Sequence, residues 1–186
     1  MEDISLHILD IAENSVAASA TFVRISITEE PEKDLFTVSI ADNGKGMDAA
    51  FVRNVLDPFC TTRTERNVGL GLSFLAQAAR ETGGDIHIQS VAGQGTLVKA
   101  DFRPSHIDMK PLGNMTDTIL TLIAGNPRTD FLFSYVSSQK SYSLDTRGIR
   151  SALEDVPMNS ANVLSAIRSD LSEGLQAIKE TKNVPL

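Results

Sequence analysis

Apolar residues recur at helical spacing over residues 3–19, where Ile4, Leu6, Ile8, Leu9, Ile11, Ala12, Val16 and Ala17 fall mostly on one side. The period then drops to two. Residues 21–29 and 35–41 alternate apolar and polar, which predicts two half-buried strands. Pro31 and the charges around it predict a hairpin loop between them. Residues 48–56 predict a short helix starting near Asp48. It ends at Asp57-Pro58, because proline disfavours helix at the residue before it. Residues 60–68 are polar and basic, without a period, and read as a loop. Helical spacing returns over 70–82 through Leu70, Leu72, Phe74, Leu75, Ala78 and Ala79, and Gly83-Gly84 stops it. Residues 85–90 and 96–102 predict two more strands, joined by the turn Ala92-Gly93-Gln94-Gly95.

The pattern changes after residue 103. Residues 103–114 hold Pro104, Pro111 and Gly113 and read as a linker. Beyond it the spacing predicts a helix over 115–124, a hairpin over 129–136 and 140–145, and helices over 147–154 and 160–180. The expected organisation is a domain over residues 1–103 and a hairpin-and-helix extension over 104–186. The mix of helices and strands predicts an α/β class. Phe131, Phe133 and Tyr135 alternate, so one face of the second hairpin must be buried. That hairpin is expected to extend the same sheet.

Bulk properties narrow the function. A hydrophobic fraction of 41% suffices for an ordinary packed core. No apolar run approaches the ~20 residues needed to span a bilayer. The acidic start, Glu2-Asp3, is unlike a secretory signal. Cys60 is the single cysteine, so no internal disulfide forms, which fits a reducing compartment and a cytoplasmic location. The net charge of -7 argues against a broad nucleic-acid surface, which depends on Lys and Arg. It leaves room for a nucleotide, which needs only a local positive site.

Four short segments carry candidate chemistry. Asp10 and Asn14 are four apart and share a helix face. A carboxamide oxygen is a hard ligand suited to Mg²⁺, and a carboxylate one turn earlier suits a water-orienting base. Taken alone, the pair also reads as the solvated stripe of an amphipathic helix. Asp42-Asn43-Gly44-Lys45-Gly46-Met47 follows a strand; its glycines permit a tight turn and a close approach to a flat ligand. Asp42 at the strand end suits an exocyclic amino group such as adenine N6. A plain Asn-Gly turn is the competing reading. Gly69-Leu70-Gly71-Leu72 opens a helix after a basic loop with Arg63 and Arg66, and helix N-termini bind phosphate. A solvated loop leading into a glycine-containing helix start accounts for the same residues. Gly95-Thr96 starts a strand and offers a hydroxyl for a pocket wall, or simply a hairpin turn. His7, His87 and His106 are far apart and suggest no zinc site. His7 reads as structural or solvated rather than as a phosphoryl acceptor.

In this order the segments resemble the GHKL superfamily of ATP-binding domains (gyrase, the ninety-kilodalton heat-shock chaperone, histidine kinases, mismatch-repair ATPases). Ile8 through Ala17 is similar to its N box, Asp42 through Gly46 to its G1 box, Gly69 through Leu72 to its G2 box, and Gly95-Thr96, with Phe102 further on, to its G3 element. Asp57-Pro58-Phe59-Cys60-Thr61-Thr62-Arg63 resembles the F box of the histidine-kinase branch. The resemblance covers residues 3 to about 103 and implies a Bergerat-type α/β sandwich, a mixed and mainly antiparallel sheet with helices on one face, that binds ATP and Mg²⁺. It implies Asn14 as metal ligand and Asp42 on adenine. Gly44, Gly46, Met47, Phe59, Thr61, Thr62, Arg63, Gly69, Leu70, Gly71, Leu72 and Thr96 would line the nucleotide, and residues 52–70 would form part of a mobile lid.

Two departures shape the expected activity. Asp10 stands where hydrolysing members carry a glutamate base, and it is one methylene shorter, which puts efficient hydrolysis in doubt. Glu13 does not replace it, since it points about 100° away around the helix from Asn14. Histidine kinases also carry a helical dimerisation segment with the acceptor histidine ahead of the N box, and these 186 residues hold none there. The expectation is therefore a kinase-like module that transfers the γ-phosphate to a protein partner in trans. The alternatives are a nucleotide-gated interaction module with little turnover, or a slow ATPase using Asp10. A homodimer is compatible with either. The arrangement also resembles the small stand-alone kinase-like ATPases that bacteria keep beside redox enzymes such as iron hydrogenases.

Overall fold

The computed structural model describes residues 3–56, 70–138, 140–153 and 156–179. Its sheet has six strands in the order β3-β4-β2-β1-β5-β6, with β1 Phe22–Glu30, β2 Leu35–Asp42, β3 Asp85–Val91, β4 Gly95–Phe102, β5 Asp130–Ser137 and β6 Lys140–Asp145. Every neighbouring pair is antiparallel except β1 and β5, which run parallel from Phe22↔Asp130 to Glu29↔Ser137. The second hairpin thus lies in the same sheet as the first.

The two-residue period decides which side is covered. Val23, Ile25 and Ile27 of β1, Phe36, Val38 and Ile40 of β2, Val98, Ala100 and Phe102 of β4, and Phe131, Phe133 and Tyr135 of β5 are all buried on one face. Register puts Ile25 opposite Ile40 on one side and Phe133 on the other, so the apolar row runs unbroken across the sheet. Helices α1 Ile4–Ala17, α3 Leu70–Glu81, α4 Met115–Gly125 and α6 Ala161–Lys179 lay their apolar stripes on that row, and the short α5 Thr146–Leu153 follows β6 directly. One hydrophobic core joins them, from Ile4 and Ile8 through Leu75 and Ile119 to Leu171. The opposite face carries Ser26, Thr37, Ser39 and Ser134, with Ser134 bonded to Ser26 at 2.9 Å. This is the two-layer α/β sandwich expected, with helices on one face.

Local chemistry sets the element ends. The Asp3 carboxylate accepts the Leu6 N–H at 3.0 Å and caps α1. Asp48 does the same for Phe51 at 2.8 Å and starts α2 Ala49–Asn54. At Gly83, φ of +78° closes α3, with Gly84 N–H donating to the Ala79 carbonyl at 3.0 Å. Residues 103–114 are more than a tether. The carbonyls of Pro111 and Leu112 accept the first-turn N–H groups of Ile4 and Ser5 at 3.0 and 2.8 Å, which a helix start cannot satisfy internally. Ser105 holds Asp34 through its N–H at 2.9 Å and its hydroxyl at 2.6 Å.

His7 is neither solvated nor bonded. It is fully buried in α1, and neither ring nitrogen has a hydrogen-bond partner among the described residues. Burial lowers its pKa from 6.5 to about 4, helped by the positive charges of Lys110 and the N-terminus and opposed by Asp3. The fold therefore holds it neutral, whereas the unfolded chain takes up a proton below about pH 6.5. His7 thus supports stability fully above that pH, and its contribution falls as pH drops towards 4, by at most about 1.4 kcal/mol per unit. Thermal melts between pH 6.5 and 5 should show a falling midpoint, and His7→Leu should flatten it. An equal slope in the variant would assign the loss to other groups.

Candidate functional site

Asp42 is the last residue of β2, and the strand register sets it opposite Thr96 of β4. Its carboxylate is tied on both oxygens. The Ser15 hydroxyl donates to Oδ2 at 2.8 Å, and the Gly44 N–H donates to Oδ1 at 2.8 Å. Ser15 comes from α1, where it is buried. Two donors thus fix the orientation of a half-buried carboxylate and leave its other lone pairs for a ligand donor.

The loop after Asp42 is stapled at each step. Asn43 accepts the Thr21 and Phe22 N–H groups, both at 2.9 Å, and donates to the Thr21 hydroxyl at 2.9 Å. Its side chain is therefore structural. Lys45 N–H donates to the Ala18 carbonyl at 2.9 Å, while the Lys45 carbonyl accepts Gly93 N–H at 2.7 Å. Gly46 has φ of +61°, and a Cβ there would fall 2.0 Å from the Val91 carbonyl oxygen. Only glycine allows that approach of two backbones. Met47 N–H donates to the Ser90 hydroxyl at 2.8 Å, and the Ser90 and Thr96 hydroxyls share a hydrogen bond of 2.8 Å. Ser90 and Thr96 are also register partners of β3 and β4.

Just before Ser15, α1 presents Asn14 and, one turn earlier, Asp10, both half-buried. Asn14 Nδ2 donates to Asp10 Oδ2 at 3.4 Å. A carboxylate only accepts, so the amide nitrogen faces Asp10 and the amide oxygen faces away, free to bind a hard cation. Glu13 is exposed, as its angle around the helix requires. Asp10 meets the start of α3 at Gly71. An added Cβ on Gly71 would lie 1.6 Å from Asp10 Oδ2, so the carboxylate fills the space that a side chain at 71 would need. Leu72, next along, is half-buried against the core.

The structure thus gathers Asp10, Asn14, Asp42, Gly44, Gly46, Met47, Gly71 and Thr96 where α1, the end of β2, the start of β4 and the start of α3 meet, while Leu72 packs against the core. Phe59, Thr61, Thr62, Arg63 and Gly69 lie outside the described residues, as do most of residues 52–70. Leu70 is described only as the first residue of α3. Two hydroxyls emerge that sequence reasoning passed over. Ser15 directly follows Asn14, and Ser90 shares the parity of Ile86 and Ile88, so each was readable as a small polar residue facing the site.

Among the described residues, no three His, Cys, Asp or Glu side chains converge on one point. A hard cation here would draw most of its oxygens from phosphate and water, as Mg²⁺ does in nucleotide sites. The single amide oxygen of Asn14 fits that donor set.

Residues 2–106 match the family described as histidine kinase-, DNA gyrase B-, and HSP90-like ATPase. The chain is 34% identical over 97 residues to a putative sensor protein of Shewanella frigidimarina, covering 51% of this chain and 15% of that protein. It is 32% identical over 113 residues to the signal transduction histidine-protein kinase AtoS of Escherichia coli, covering 59% of this chain and 17% of the kinase. The chain therefore spans less than a fifth of either relative. Among solved structures, the N-terminal domain of a DNA repair protein superposes with a TM-score of 0.57 at 15% identity, over 78% of this chain and 53% of that one. That likeness concerns the fold alone.

Proposed function

We propose a function from one premise: this chain belongs to the histidine kinase-, DNA gyrase B-, and HSP90-like ATPase family, and so binds ATP. Our reading is that it binds ATP with Mg²⁺ and passes the γ-phosphate to a protein partner in trans. The observation that carries it is the Asp42 carboxylate, fixed by Ser15 and Gly44, with Asn14 beside Ser15 on the same helix. Asp42 would receive the adenine amino group, and Thr96 would close the same wall. Asn14 would give one oxygen to Mg²⁺, which neutralises phosphate charge when bound. The remaining work is positioning, which suits phosphoryl transfer. A cytoplasmic location belongs to the same reading, and no helix among the described residues is long and apolar enough to cross a membrane.

A second reading has an observation of its own. Asp10 Oδ2 accepts from Asn14 and abuts Gly71, so the carboxylate is already engaged. A base held that way favours a nucleotide-gated interaction module, or a slow ATPase, over rapid turnover.

Calorimetric titration of ATP with and without Mg²⁺, followed by phosphate release, tests both readings. Asn14→Ala should lose most of the magnesium-dependent gain in affinity, about tenfold or more, or ~1.4 kcal/mol. An unchanged gain would remove Asn14 from the metal. Steady phosphate release, or label passed to a partner, supports the enzyme; tight binding without either supports the gated module.

A further inference from the structure

Among the described residues, Asp10 is a negative charge without a cation. No Lys, Arg or His among the described residues forms an ion pair with it. Its one polar contact there is the Asn14 amide at 3.4 Å. Yet its Oδ2 is pressed against the second residue of α3, in the volume that glycine alone leaves open. Gly71 is itself buried, so the carboxylate is enclosed from that side. The same short stretch of α1 carries Asn14, whose free amide oxygen points away from Asp10. Going along α1 from Ser15 to Asp10, about 1.5 Å per residue, leads from the Asp42 end of the site towards the start of α3.

On the reading that this site takes ATP, the polyphosphate must lie at the Asp10 end, because Asp42 holds the base end. We propose that the Asp10 carboxylate is a built-in anion that competes with the nucleotide's phosphates for the space beside Gly71. Binding of the phosphate chain then requires a divalent cation to bring the two anions together, or loss of the Asp10 charge. Like charges a few ångströms apart in a partly buried site repel strongly, and salt screens them poorly there. Asp10 thereby makes affinity depend on the metal, in addition to any role in turnover. A nucleotide without its β- and γ-phosphates escapes the competition.

The test compares the native chain with Asp10→Asn, which keeps the shape and removes the charge. ATP affinity in EDTA should rise at least about tenfold in the variant, the scale expected for removing one like charge. Adenosine affinity should stay the same, and the gain from added Mg²⁺ should shrink. Equal or weaker ATP binding by Asp10→Asn in EDTA overturns the proposal and leaves the ATP reading standing. An equal rise for adenosine also overturns it, since the effect would then not arise at the phosphates. No binding of ATP by either protein in Mg²⁺ sinks the ATP reading along with it. Thermal melts accompany each titration. Should Asp10→Asn not fold, Asp10→Ser removes the same charge with a smaller side chain and repeats the comparison.

Discussion

Asp42→Asn should cost at least about 100-fold in ATP affinity, equivalent to ~2.7 kcal/mol. The variant is nearly isosteric, so the loss measures hydrogen-bond polarity. In the native chain both carboxylate oxygens accept, one from Ser15 and one from Gly44 N–H. An asparagine has one accepting oxygen and one donating NH₂. The amide can therefore no longer accept from both Ser15 and Gly44 N–H, whichever way it turns. If the amide turns its nitrogen towards Gly44, a backbone donor that cannot rotate is left unpaired at a buried residue. If it turns the other way, its NH₂ faces Ser15, whose hydroxyl can accept it only by giving up its own donation to residue 42 and donating to the Ile11 carbonyl at 3.2 Å. In both cases the ligand's amino group loses a charged acceptor, and hydrogen bonds to charged groups contribute about 1.5–3 kcal/mol. Titration of ATP and GTP against both proteins checks this. ATP affinity within about threefold of native would take the base away from Asp42. Preference for ATP over GTP should also fall, because the carboxylate is the group that favours an amino donor over a carbonyl.

The elements of this site were readable because each is a local pattern. The period change near residue 20 marks the end of α1, and the alternation of 21–29 and 35–41 gives β1 and β2 to within a residue or two. Asp48 and Gly83 announce their caps by residue type alone. What was not readable depends on how elements dock. Nothing in the side-chain pattern of residues 103–114 shows that two of their carbonyls cap α1, because that need arises in the backbone of another element. The parallel direction of β5 beside β1 is likewise a matter of connection, not of alternation. The Asp10–Gly71 contact requires the close approach of α1 and α3, and a Gly-x-Gly by itself reads as phosphate cradle rather than as room for a carboxylate. His7 reads from sequence as structural or solvated; it is buried, with no partner for either nitrogen among the described residues. Its neighbours in space, not in sequence, decide that.

Phe133→Ala should destabilise the whole protein by about 3–5 kcal/mol, the range for truncating a buried phenylalanine. Phe133 is fully buried at the centre of the second hairpin. It sits between Ile25 and Leu144 in register and tilts against the Tyr142 ring at 6.3 Å. None of these residues touches the candidate nucleotide site, so a local view predicts an unchanged site. The pairing predicts otherwise. β5 runs beside β1 along nearly all of its length, and Phe22 at the start of β1, with Thr21 before it, holds Asn43, which anchors the loop carrying Gly44 and Gly46. Loosening β5 therefore loosens the strand that fixes Asp42 and its loop. The core is also continuous from α6 through the sheet to α1 and α3, so no separate layer remains to hold the site. The expected result is one unfolding transition with its midpoint lowered by about 6–20 °C. Saturating ATP should raise that same transition in both proteins, because ligand bound only to the native state stabilises it by mass action. Two resolved transitions, with the ATP-sensitive one unmoved by Phe133→Ala, would mean that the site stands on residues 1–103 without help from the hairpin.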